Sequence, residues 1–272
     1  MMGDTVYTFH EGVLRKKCKL VVRQDPSIRK KNITMGPQFC HWGAFRTRIR
    51  HLFHWKGLNK DTQAFIRACQ ICQACKYDNS AYPGKLQPLP IPKEVWVDVS
   101  TDFIEGLPTS YGRNVIFVVV DKLSKYAHFM TLKHPFTAIE IDRSYLDHVF
   151  KLHGWPSTIV SDIGLVFLST FWKALFSVQG VDLLLSTSFH PQTDGQTEVV
   201  NRCLENYLRC MCFEKSQSWC KWLPLAEYWY NTTFHSAIGM TPYEAVYNQP
   251  PPLHLPYLAG VTKIAAVDRS MQ

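Results

Sequence analysis

The sequence predicts an α/β fold: a mixed five-stranded sheet with helices on its faces, preceded by a small helical module. From residue 96 onward, short β-branched and aromatic runs interleave with helical periodicities, the pattern of a layered α/β domain. Ahead of them, residues 82–92 place four prolines and a glycine in eleven positions, a density that resists both helix and central strand and marks an extended linker. Before that linker the chain is basic and carries cysteines. With 272 residues, 46% of them hydrophobic, there is enough apolar surface for one moderate domain and a small one.

Residues 96–103, 114–121 and 126–132 are rich in β-branched and aromatic side chains and are separated by short turns, so they predict three strands in an antiparallel meander. Residues 138–152 then place Ile141, Tyr145, Val149 and Leu152 at helical spacing. Gly154-Trp155-Pro156 ends that helix before a short strand at 158–161. A helix over 169–179, a strand over 181–186, a polar loop, a long helix over 196–213 and another over 219–231 complete the order β-β-β-α-β-α-β-α-α. There is no internal repeat. These elements divide the chain into an N-terminal module at 1–80, a linker at 81–95, the mixed-sheet domain at 96–250 and a tail at 251–272.

Charge and cysteine usage narrow the function classes. Lys and Arg outnumber Asp and Glu by 30 to 22, and Arg15, Lys16, Lys17, Lys19, Arg23, Arg29, Lys30 and Lys31 crowd the N-terminal region, as suits a polyanionic partner such as nucleic acid. Residues 1–12 contain charges and no long apolar run, and the longest apolar stretch, 115–120, is far too short to span a bilayer, so neither a signal peptide nor a membrane partner is expected. Nine cysteines without a secretory signal read as reduced thiols or metal ligands, which places the protein in the cytosol or nucleus.

The acids of interest are Asp102 in the first predicted strand, Asp162 just past the fourth, and Glu198 near the start of the long helix. In a ribonuclease H-like arrangement the first and fourth strands are neighbours and the helix after the fifth crosses their ends, so the three carboxylates converge. Such a cluster suits phosphoryl transfer on DNA. Two divalent cations, roughly 3.5 to 4 Å apart, can stabilise both the attacking and the leaving oxygen, and Mg²⁺ prefers hard carboxylate ligands. Thirty-five residues lie between Asp162 and Glu198, but among 22 acids that spacing arises by chance for about one Asp in twelve and is weak alone.

The surrounding blocks are more specific. Thr101-Asp102-Phe103-Ile104-Glu105-Gly106-Leu107-Pro108, Ile159-Val160-Ser161-Asp162 and His190-Pro191-Gln192-Thr193-Asp194-Gly195-Gln196-Thr197-Glu198 resemble the three catalytic blocks of gypsy-type retrotransposon integrases. Also similar to that family are 118–129, Leu152-His153-Gly154-Trp155-Pro156, 222–231 and Met240-Thr241-Pro242-Tyr243-Glu244-Ala245, so the resemblance spans nearly the whole chain. It implies the integrase segment of a Gag-Pol polyprotein with a ribonuclease H-like core. The activity implied is a polynucleotidyl transferase that uses two Mg²⁺ or Mn²⁺ ions to trim the element's DNA ends and join the 3′-hydroxyl to target DNA. Asp102, Asp162 and Glu198 would be the metal-holding carboxylates. Family members act as multimers, so a homo-oligomer acting in the nucleus after cytoplasmic synthesis is expected.

Nucleic-acid contacts are expected from His190, Gln192 and Gln196, in or beside a polar loop abutting the triad. They are also expected from Arg202 and Arg209, four and eleven residues after Glu198 on one helical face. The bland alternative is that both arginines pair with Glu205, the only acid between them.

Cys69-Gln70-Ile71-Cys72 is a C-x₂-C hook of the kind used for zinc and resembles the second half of the His-His-Cys-Cys domain that precedes the integrase core. His41 aligns with its second histidine, while Thr34 stands where family members carry the first, and the stretch from His41 to Cys69 is about two residues short by that comparison. His41, Cys69 and Cys72 leave a tetrahedral site one ligand short, with Cys40, Cys75, His51 and His54 as candidates; His51 and His54 with the two cysteines form an alternative set. Cys203, Cys210, Cys212 and Cys220 fall on predicted helices and read as ordinary buried thiols.

Other departures from the family pattern are Ile163 and Gly164, in place of a charged pair, and Thr101, in place of an apolar residue. The chain stops shortly after Pro250-Pro251-Pro252, so a C-terminal targeting module is expected to be absent and the chain to be a fragment or decaying copy. Two rival expectations remain: a catalytically inactive DNA-binding remnant that keeps the fold, and a zinc-dependent interaction module.

Overall fold

The computed structural model describes residues 7–10, 13–17, 19–34, 49–50, 52–74, 92–161, 170–185 and 195–252. Described residues before Ala74 belong to one compact unit and those from 92 to Gln249 to another.

In the first unit, β1 (Tyr7–His10) and β2 (Val13–Lys16) form an antiparallel hairpin. β3 (Lys19–Val21) extends it antiparallel to β2, and β4 (Phe53–His54) pairs parallel to β3. This sheet is additional to the helices expected there; the dense Lys and Arg among its strands obscure their period-2 pattern. α1 (Pro26–Thr34) starts as its sequence dictates, with Pro26 at the first helical position and Asp25 as cap. Asp25 Oδ1 accepts from Ser27 N at 2.8 Å and Ser27 Oγ at 2.7 Å. α2 (Leu58–Ala68) and α3 (Gln70–Ala74) come next. Ile33, Ile49, Trp55 and Leu58 form the small core, with Phe53, Phe65 and Ile66 against it.

The second unit is built on β5 (Asp98–Ile104), β6 (Val115–Asp121), β7 (Ala127–Leu132), β8 (Thr158–Ser161) and β9 (Asp182–Leu185), in the order β7-β6-β5-β8-β9. The first three are antiparallel; β5, β8 and β9 are parallel. β6 is buried at every position, as a central strand covered on both faces must be. On one face Val99, Phe117, Val119, Met130 and Leu132 pack with Ile141, Tyr145 and Val149 of the segment from α4 (Ala138–Tyr145) and with Phe176 of α5 (Thr170–Gln179). α6 (Gly195–Met211) and α7 (Trp219–Asn231) also pack against the sheet, α6 on β5 and β6 and α7 on β7.

One helical expectation is corrected. α4 continues into a π-helical turn, Leu146–Phe150, before Lys151–His153. The wider turn shifts the phase of the residues after it, so Leu152 is exposed and its neighbour His153 stacks on Trp96 with ring centroids 3.8 Å apart. A short helix not expected from the apolar periodicity, α8 (Pro242–Tyr247), is set by a capping box in which Thr241 Oγ1 accepts from Glu244 N while the Glu244 carboxylate accepts from Thr241 N.

The outer edge of β7 is covered by side chains of α7. Asn231 accepts from Ala127 N and donates to Ala127 O, both at 2.8 Å. Glu227, four residues earlier, accepts from Phe129 N at 2.8 Å and pairs with His128 Nδ1 at 3.0 Å. Four helical residues rise about 6 Å and two strand residues about 6.7 Å, so an i, i+4 pair can satisfy alternate backbone groups of an edge strand and blunt it against foreign pairing.

Candidate active site

Asp102 owes its position to the sheet register. β5 and β8 pair from Asp98 with Thr158 to Thr101 with Ser161. Asp102 is therefore the first β5 residue beyond that ladder, and Ser161 is the last residue of β8 before Asp162 in the chain. On the other side Asp102 faces Val118 of β6. Asp162, His190 and Gln192 lie outside the described residues, as does the side chain of Gln196.

Asp102 is half-buried and held from two directions. Its Oδ1 accepts from Phe103 N at 2.8 Å and its Oδ2 from Asn201 Nδ2 at 2.6 Å. Asn201 interrupts the otherwise apolar inner stripe of α6, where Val200, Leu204, Tyr207 and Leu208 are buried together with Thr197. That interruption three residues after Glu198 is the signal sequence reasoning passed over. Asn201 Oδ1 is itself buried and has no hydrogen-bond partner among the described residues, and the same holds for Thr101 Oγ1.

Glu198 lies in the first turn of α6, where the helix dipole favours a carboxylate. Residues three apart on a helix share a face, with about 5–6 Å between Cβ atoms. The bond from Asn201 to Asp102 thus fixes the Glu198 turn beside the strand that carries Asp102. The Glu198 side chain is 63% exposed, and its Oε1 accepts from Arg202 Nη2 at 2.8 Å. Arg209 pairs with Glu205 at 3.3 Å. Of the alternative in which these arginines pair with Glu205, Arg209 makes the pair, whereas Arg202 pairs with Glu198. An exposed i, i+4 pair of this kind is worth little, about 0.3–0.5 kcal/mol.

Asp121, fully buried at the end of β6, serves the fold. It caps the β6–β7 turn, accepting from Trp96 N at 2.9 Å and from Ser124 N at 2.8 Å. Cys203, Cys212 and Cys220 are pushed up from the ordinary thiol pKa, chiefly by burial, which keeps them protonated.

In the first unit, Cys69 comes directly after α2 and its N–H donates to Phe65 O at 3.0 Å, closing the last turn. Cys72 is on α3, with its side chain outside the described residues, as are His41, Cys40, His51 and Cys75 entirely. Of the candidate fourth ligands, His54 is described: it sits in β4 with Nε2 3.2 Å from Lys16 Nζ. Among the described residues no group of three or more His, Cys, Asp or Glu side chains is placed to hold a metal ion.

The chain is similar to known proteins at both ends of this architecture. Residues 36–78 match the integrase zinc binding domain family. Over 217 residues, 79% of the chain, it is 37% identical to the Tf2-3 and Tf2-4 transposon polyproteins of Schizosaccharomyces pombe, of whose length the match covers 16%. In fold, it is similar to a chain of the cryo-EM structure of the simian T-cell lymphotropic virus intasome in complex with PP2A regulatory subunit B56 gamma. That match has a TM-score of 0.51 and 17% identity, and covers 76% of this chain and 72% of that one. The zinc-binding family match and the 37% identity to transposon polyproteins bear out the resemblance to gypsy-type retrotransposon integrases.

Proposed function

We propose that the chain is a metal-dependent polynucleotidyl transferase that processes the 3′ ends of its element's DNA and joins them to target DNA. The observation that carries this reading is the hydrogen bond from Asn201 to Asp102, which ties the helix bearing Glu198 to the strand bearing Asp102, one residue past the β5–β8 ladder. Asp102 is half-buried and Glu198 exposed, and both supply the hard carboxylate oxygens that Mg²⁺ or Mn²⁺ prefers. Asp102, Asp162 and Glu198 would hold two such ions, which when bound stabilise charge on the attacking and leaving oxygens of the phosphodiester.

The remaining work falls to the chain's own groups. Asn201 orients the Asp102 carboxylate through Oδ2. Arg202 and Arg209, two turns apart on the same side of α6, would contact DNA phosphates. His190, Gln192 and Gln196 are assigned to the DNA ends. A zinc ion held by His41, Cys69, Cys72 and a fourth ligand would close the N-terminal module. DNA and further copies of the chain are the partners, and the nucleus is where they meet.

Strand transfer of labelled element-end DNA with Mg²⁺, for the unmodified chain and for Glu198→Gln, tests the reading. Activity confined to the unmodified chain supports it. If both forms bind DNA and neither joins it, the chain is a silent DNA-binding remnant. Zinc stoichiometry before and after His41→Ala tests the N-terminal assignment, and a folded, zinc-free protein removes zinc from the site.

A further inference from the structure

The N-terminal sheet presents a face that the catalytic reading does not use. Cross-strand partners and alternate residues of a strand share a face, so the pairs Tyr7 with Lys16, Phe9 with Leu14 and Lys16 with Lys19 put these side chains on one side. Phe53 in β4 packs against the small helical core, whereas Phe9 is 72% exposed and Tyr7 and Leu14 are also exposed. Two aromatic rings and an aliphatic side chain facing solvent on an edge hairpin are costly to leave uncovered unless a ligand uses them.

The charges beside them say what that ligand is. From Val13 to Gln24 the sequence carries Arg15, Lys16, Lys17, Lys19 and Arg23 and no Asp or Glu. Lys16 Nζ lies 5.2 Å from the Tyr7 ring centroid and 3.2 Å from His54 Nε2, so the aromatic and cationic groups are contiguous. Burial, and then the Lys16 and Lys19 charges, lower the pKa of His54 and keep its ring neutral beside the ammonium. Tyr7 and Phe9 are separated by two strand residues, about 6.7 Å, close to the spacing of successive bases in an extended single strand and too long for stacked duplex steps of about 3.4 Å.

We propose that the outer face of the β1–β3 sheet binds single-stranded nucleic acid, with Phe9 and Tyr7 stacking on successive bases and Lys16 and Lys19 following the phosphates. Extended backbones with exposed aromatic platforms beside cations bind single strands in this way, whereas a duplex hides its base faces from such rings. This surface is different from the carboxylate site, and its binding stands or falls without strand-transfer activity.

Binding of the full-length chain to fluorescent oligo(dT) and to a duplex of equal length, without added Mg²⁺ or Mn²⁺ and across a salt series, tests it. Tyr7→Ala with Phe9→Ala is expected to weaken oligo(dT) binding by about tenfold or more per ring while changing duplex affinity less than about twofold, and Phe9→Tyr to retain binding. Lys16→Gln with Lys19→Gln should weaken oligo(dT) binding and flatten its salt dependence by about 0.7 in slope per lost phosphate contact. Crosslinks from 5-iodouracil-substituted oligo(dT) should map to Tyr7 or Phe9. Equal losses for single strand and duplex, no loss on removing both rings, or crosslinks confined to residues beyond 74 would each overturn the proposal. All variants are at exposed or half-buried positions, and an unchanged melting temperature confirms that they fold.

Discussion

Asn201 Nδ2 donates a 2.6 Å hydrogen bond to Asp102 Oδ2, joining α6 to β5 at the point where the β5–β8 ladder ends. The contact spans 99 residues of sequence and holds together the two elements on which the proposed chemistry depends. Asn201 acts through Asp102 and is therefore a positioning residue. Asn201→Ala is expected to reduce strand transfer about 10- to 100-fold, the worth of one hydrogen bond to a charged group, while lowering stability by about 1–2 kcal/mol. Asn201→Asp sets a second carboxylate against Asp102 and is expected to be worse and to raise the metal concentration needed for half-maximal activity. That shift in metal dependence is the readout a purely structural role would leave unmoved.

The edge of β7 gives a second expectation. Asn231 satisfies both backbone groups of Ala127 from a buried position. Asn231→Leu leaves those groups without partners and is expected to cost about 2–4 kcal/mol in urea denaturation. Asn231→Asp keeps the acceptor alone and should lose about half as much. Equal stability of all three proteins would show that the edge is covered in another way.

Thr101 offers the opposite sign. Its hydroxyl is buried with no partner among the described residues. Replacing it with the isosteric Val removes an unsatisfied polar group and is expected to stabilise the second unit by about 1 kcal/mol. A loss of about 1 kcal/mol or more in the same denaturation would mean that the hydroxyl is bonded.

His153 links stability to pH. Burial first, and the neighbouring His128 second, lower its pKa from 6.5 to about 4. Between those values the unfolded chain binds the proton and the folded chain does not. The stability that depends on a neutral His153 is complete above pH 6.5 and is lost as pH falls toward 4. His128 Nε2 faces His153 Nε2 at 3.1 Å, Trp96 stacks on His153, and Glu227 holds the far side of His128. His153→Gln is expected to shrink the drop in urea midpoint between about pH 7 and about pH 4.5. An unchanged drop would assign the acid sensitivity to other groups.

Much of this fold is legible in the sequence because the inner strands of the second unit, β6 and β8 above all, are buried. The run 115–120 is apolar throughout and β8 ends where expected, since both strands obey patterning alone. The conspicuous blocks 118–129 and 222–231 carry the edge device of Asn231 and Glu227 and the Asp121 turn. Their residues are visible in the sequence, but the edge partners lie about a hundred positions away and are not. The N-terminal sheet escapes pattern reading because cations occupy strand positions, and α8 because its signal is a cap, Thr241 with Glu244, without an apolar stripe. Of the site, the identities of Asp102 and Glu198 come from their blocks, whereas Asn201 reads as a minor flaw in an amphipathic helix until the Asp102 contact is seen.

On the proposed mechanism Asp102, Asp162 and Glu198 act as one metal-holding unit. A double-mutant cycle on single-turnover strand transfer, with Asp102→Asn, Asp162→Asn and the pair, separates that unit from three independent acids. If the carboxylates share the metal ions, each single change reduces activity on the order of a thousandfold or more, and the double change is little worse than either. Full activity in Asp162→Asn, or losses that multiply in the double variant, would contradict it.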